Sequence, residues 1–94
     1  MAYADTRYHI HLRNEDNTLL TTSSFTLKKE ALKEYDRLKT LTPEQITEEF
    51  GFNDDVQATV MELYDYARYD LDWRMVKSYD FERGEDYIAQ TKSL

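Results

Sequence analysis

The sequence predicts an α+β domain, a small antiparallel sheet with helices packed on one of its faces. Three observations carry this reading. Residues 3–13 alternate apolar and polar side chains, residues 27–50 repeat apolar positions at helical spacing, and residues 73–81 return to alternation. Strands segregated in this way from helices pack as two layers rather than as βαβ units. The expected order is β-β-α-α-α-β, with room for a fourth strand near the C-terminus. All 94 residues are expected to form one domain, 1–94.

Each element has a local cause. Tyr8, Ile10 and Leu12 point to one side of the first strand, and Arg7, His9, His11 and Arg13 to the other. Asn14-Glu15-Asp16-Asn17 is a turn, because Asn and Asp bond their own backbone and tolerate left-handed dihedrals. Thr18 to Phe25, rich in β-branched residues, is the return strand. Leu27, Ala31, Tyr35 and Leu38 then form the buried stripe of a first helix, with Lys29, Lys33 and Arg37 as a basic ridge opposite. Thr42-Pro43-Glu44-Gln45 is a capping box, with Leu41 and Ile46 at the staple positions and Gly51 as the C-terminal stop. Asn53 is expected to cap a third helix from Asp54, with Val56, Val60, Leu63 and Ala67 as its buried stripe. Trp73, Met75, Tyr79 and Phe81 alternate along the next strand, although Lys77 interrupts their side. Glu82 to Glu85 reads as a turn and Asp86 to Gln90 as a short closing strand, and Thr91–Leu94 are expected to fray.

Charge is the most informative compositional feature. The net charge is −7, yet residues 1–41 hold seven bases and six acids, while residues 42–94 hold thirteen acids and five bases. Within 42–72 nine acids face a single base, Arg68. Crowded like charges oppose folding through self-repulsion. They also disfavour direct contact with nucleic acid or an anionic membrane and favour a basic protein surface.

The sequence offers little to catalysis. There is no Cys, the serines lack a Gly-flanked elbow, and Gly51 and Gly84 are isolated, so neither a nucleophile elbow nor a phosphate-cradling loop is present. No cofactor and no metal are expected. His9 and His11 lie about 6.6 Å apart along a strand, a spacing that suits a shared ion, but Arg7 and Arg13 would repel a cation. They read as exposed polar residues of the strand. The chain has no apolar run near the ~20 residues of a membrane helix and no secretory signal, so a cytoplasmic location is expected.

Acid interleaved with tyrosine makes a good contact surface, since acids steer a basic partner and Tyr adds area with little entropy loss. On the expected third helix Asp55, Glu62, Tyr66 and Tyr69 share one flank. The candidate contact set is Glu44, Glu48, Asp55, Glu62, Asp65, Tyr66, Tyr69, Asp70 and Asp72. Carboxylates in such an array can occupy a groove built for phosphates. At class level the composition is similar to that of phage antirestriction and anti-CRISPR inhibitors and of bacterial nuclease inhibitors and immunity proteins, although no family motif carries the likeness. The expected function is therefore a non-catalytic acidic inhibitor of a nuclease or other nucleic-acid-binding complex. The alternative is an accessory subunit that docks through its sheet along residues 3–13, with the acids conferring only solubility.

Overall fold

Asn14 builds the first turn. Its side-chain oxygen accepts hydrogen bonds from the backbone N–H groups of Asp16 and Thr18 at 2.9 Å, and Asn17 adopts φ 64°. The computed structural model describes residues 7–67 and 72–88. Its elements are β1 (Tyr8–Arg13), β2 (Leu19–Phe25), α1 (Lys28–Lys39), α2 (Pro43–Phe50), β3 (Val60–Ala67), β4 (Asp72–Asp80) and β5 (Glu85–Ile88). The α+β class stands, with two helices and five strands among the described residues in place of the three helices and four strands expected.

The expected third helix is instead a loop followed by β3. Residues 60–66 alternate, with Met61 and Leu63 fully buried and Glu62, Tyr64 and Tyr66 on the opposite side. The helical stripe Val56, Val60, Leu63 and Ala67 is a coincidence of spacing. Tertiary context decided the matter, because β1 lies inside the sheet and needs a partner on each side. The strand order is β2-β1-β3-β4-β5, antiparallel throughout. Ile10 pairs with Leu63 and Leu12 with Met61, so the apolar side chains of both strands share one face. Because β1 is hydrogen-bonded on both sides, the backbone of Tyr8–Arg13 is closed to strand addition, and docking there would fall to its side chains; residues 3–6 lie outside the described residues.

The helices cover that face. Ile10, Leu12, Ala31, Tyr35, Leu38, Ile46, Ala58, Met61 and Leu63 form the core. In α2 the capping box is present as expected. The Thr42 hydroxyl accepts from the Gln45 N–H at 3.1 Å, the Gln45 side chain accepts from the Thr42 N–H at 2.9 Å, and Gly51 ends the helix at φ 72°. Helix α1 follows β2 and crosses that same face to the far edge of the sheet. There Tyr35 donates a 3.0 Å hydrogen bond to Asp86 of β5, and Lys39 pairs with the same carboxylate. Burial would raise the Asp86 pKa, but the Lys39 and Tyr35 bonds outweigh it and hold the carboxyl below its usual range. Arg37 joins the helices by pairing with Glu34 of α1 and Glu49 of α2.

Lys77 has a structural explanation. The register of β3 against β4 shifts between Leu63 and Tyr64, so Tyr64 pairs with Met75 and Leu63 with Lys77. The bulge moves the apolar side of β4 from one face to the other partway along. Lys77 then lies on the helix face, its ammonium 4.5 Å from the centre of the Tyr35 ring, a cation–π contact.

Candidate functional site

The register gathers acids that are scattered in sequence. One row crosses the whole sheet, Leu19–Arg13–Val60–Asp80–Glu85. Every strand has its Asn14–Asn17, β3-entry or Phe81–Gly84 connection at this end. The first turn brings Glu15 and Asp16, the loop entering β3 brings Asp54 and Asp55, and the β4–β5 turn brings Asp80, Glu82 and Glu85. Asp80 holds its own turn, its carboxylate accepting from the N–H groups of Glu82 and Arg83 at 2.9 and 3.1 Å. Among the described residues the bases at this end are Arg83 and Arg13, and Arg13 is committed to Glu62 at 2.8 Å.

Helix α2 extends the acidic end. The Thr47 hydroxyl donates to the Val56 carbonyl at 2.9 Å, and the Phe52 N–H donates to the Thr47 carbonyl at 3.0 Å, which fold the loop back on the helix. Glu44, Thr47, Asp54, Asp55, Val56 and Gln57 thereby line one open concavity of about 500 Å³. Glu44 and Glu48, four residues apart, lie on one side of α2 about 6 Å apart along its axis. Glu44, Glu48, Asp54 and Asp55 are exposed and form no ion pair among the described residues.

The other described candidates are placed elsewhere, and Asp55, Glu62 and Tyr66 share no helix surface, since Asp55 lies in a loop and Glu62 and Tyr66 on β3. Glu62 is spent inside the fold, bonded by Arg13 and by the Tyr64 hydroxyl at 3.1 Å. Asp65 pairs with Arg7 at 2.7 Å toward the opposite end of the sheet. Tyr66 lies against His9, ring centres 6.4 Å apart. Tyr69 and Asp70 lie outside the described residues, and Asp72 begins β4 far from the acidic row. The structure thus brings Glu44, Glu48 and Asp55 together and separates them from Glu62, Asp65, Tyr66 and Asp72. Asp54, Glu15, Asp16, Glu82 and Glu85 were missed. Only strand pairing brings these turns together, and the sequence carries no local signal for it.

The helix-free face is less wet than expected. His9 is 9 % exposed, and its Nδ1 lies 3.1 Å from the Ser24 hydroxyl. His11 packs on Tyr64 with ring centres 4.7 Å apart. Burial, aided by Arg13 and His9 and opposed by Glu62, holds the His11 imidazole below its ordinary value of 6.5. Burial and the Glu62 carboxylate push the Tyr64 phenol up. The folded state therefore disfavours His11 protonation relative to the unfolded chain. Its contribution is complete above pH 6.5 and is lost as pH falls through the depressed folded value. Urea midpoints should fall on acidification from pH 7, and His11→Asn should flatten that slope. An unchanged slope would refute the assignment.

Among the described residues no group of three His, Cys, Asp or Glu is placed to hold a metal ion. No described helix is long and apolar enough to cross a membrane. Comparison with protein-family models, with curated proteins and with solved structures finds no match to this chain.

Proposed function

We propose that the protein is a non-catalytic inhibitor that occupies a basic groove of a nucleic-acid-handling protein, a cytoplasmic nuclease or defence complex, in place of phosphate. The observation behind this reading is the acidic end itself. Acids from three connections and from α2 meet there, and among the described residues Arg83 is the one base at this end not already committed to an acid. Such a concentration costs stability through repulsion, so its placement on the surface calls for a cationic target. The carboxylates stand in water rather than in a desolvated pocket, a setting that suits ion pairing and not general acid–base work. Inhibitors of this kind are what phages direct against host defences and what bacteria use to restrain nucleases. Within this reading Glu44, Glu48, Asp54 and Asp55 make the contacts, and Glu62 and Asp65 maintain the scaffold. The acidic end would repel nucleic acid and anionic membranes alike.

The test is capture of nucleic-acid-binding proteins from a lysate by the immobilised protein. Retention should fall with salt and be reversed by added DNA or RNA. The variant E44Q/E48Q/D54N/D55N should bind its target roughly 30- to 800-fold more weakly, at about 0.5–1 kcal/mol for each exposed pair. Retention unaffected by these changes, or by competing nucleic acid, would dismiss the mechanism. The other reading, an accessory subunit docking through its sheet, would use the outer strands or the helix-free face.

A further inference from the structure

The longest uncharged run in this one-third-charged chain is residues 17–27, and the next longest is the six residues 56–61. The long run contains β2, one of the two outer strands of the sheet among the described residues. Outer strands expose a row of backbone donors and acceptors, and proteins protect them with charge or by keeping them short. At the opposite edge β5 has both protections, being four residues long and opening with Glu85 and Asp86. Strand β2 has neither, and its Leu19 is 45 % exposed. Charge resumes on either side of the run with opposite sign, Glu15 and Asp16 before it and Lys28 and Lys29 after it.

We propose that β2 is a homodimer interface, on which two copies pair antiparallel about a two-fold axis through Thr22 and join their sheets into one. The charges select this occupant. Asp16 and Lys28 are each six residues from Thr22, and Glu15 and Lys29 are each seven. Antiparallel pairing about Thr22 therefore sets the Glu15–Asp16 turn of each copy toward the Lys28–Lys29 start of α1 in the other, and the axis repeats the match. Parallel pairing would set like charge on like. The same axis sends the two acidic ends to opposite extremes of the joined sheet, which limits repulsion between chains that each carry −7. Helix α1 starts beside β2 and leads away toward β5, so it leaves the edge open. The irregular register at the lower end of β2 keeps the paired segment short. An interface of this size is at the small end of specific ones, and the dimer is weak. The proposal does not rest on the inhibitor reading, since the acids of α2 and the β3 entry loop stay outside the interface.

Sedimentation equilibrium across the micromolar range tests it. The mass should rise with concentration from 11.3 kDa toward twice that value, and added salt should weaken the association. Thr22 is exposed, so Thr22→Lys and Thr22→Glu should each fold and each stay monomeric, because like charges then face each other on the axis. An equimolar mixture of the two should dimerise again. Independently, E15K/D16K should weaken the dimer and the further changes K28E/K29E should restore it. A mass of 11.3 kDa at every concentration would overturn the proposal and reserve the edge for an extended segment of another protein. A dimer indifferent to both Thr22 variants would place the contact elsewhere and overturn it equally.

Discussion

Replacing Tyr35 with alanine is expected to cost about 3–5 kcal/mol of folding stability, the range for removing a buried aromatic ring. Tyr35 is fully buried at the centre of the core between α1 and the sheet. It also does something no aliphatic residue could. Its hydroxyl donates to Asp86, and its ring carries the Lys77 ammonium, so one side chain ties α1 to both β4 and β5. Burial and the Asp86 carboxylate push the phenol well above its usual range, which keeps it a donor at any working pH. The substitution Tyr35→Phe separates these roles. It keeps the ring and the cation–π contact and removes only the hydrogen bond to a charged acceptor, at about 1.5–3 kcal/mol. Urea unfolding of the three proteins decides the point. Equal losses for Phe and Ala would mean that ring burial contributes little, and a neutral Phe variant would mean that the Asp86 bond contributes nothing.

The second large effect concerns a residue that composition alone would assign to the partner surface. Glu62→Ala is expected to destabilise the fold by about 2–3 kcal/mol, somewhat below the range for breaking a fully buried ion pair. Glu62 is 16 % exposed and Arg13 23 %, and the Tyr64 hydroxyl loses its acceptor as well. Asp65→Ala should cost less than about 1 kcal/mol, because its partner Arg7 is 53 % exposed and the pair is screened by water. Thermal melts should rank the two in that order, and captured target should be retained by both once the temperature is low enough for folding. Loss of binding by Glu62→Ala with its melting point intact would move Glu62 into the contact surface.

What could be read from the sequence was what a few neighbouring residues decide. The Asn14–Asn17 turn, the Thr42–Gln45 capping box and the Gly51 stop are each fixed by local hydrogen bonds and dihedrals, and all three appear in the structure. Of the α1 stripe, equally local, Ala31, Tyr35 and Leu38 are buried as expected, whereas Leu27 precedes the helix as its N-cap and is half exposed. Residues 54–67 failed because their spacing satisfies both periods at once. Val56, Val60, Leu63 and Ala67 fit a helix, while Met61 and Leu63 against Glu62, Tyr64 and Tyr66 fit a strand. What separates the two is the unmet second edge of β1, some fifty positions away. The same distance hid the acidic end. Glu15, Asp54 and Glu82 belong to different connections, and only the row from Leu19 to Glu85 brings them together. Glu44 and Asp55 were recognised as acids near one another in sequence, but their shared concavity depends on the Thr47–Val56 bond.

The interior position of β1 has a consequence for how the chain is made. Its inner neighbour, starting at Val60, leaves the ribosome long after Arg13, with both helices in between. Until then the hairpin and helices can form only a half-layer whose inner rim is bare, and closing that long loop is the slow, entropically costly step. Synthesis arrested before residue 66 should therefore leave a sticky fragment dependent on chaperones, and cooperative structure should arrive only once the late strands have been released.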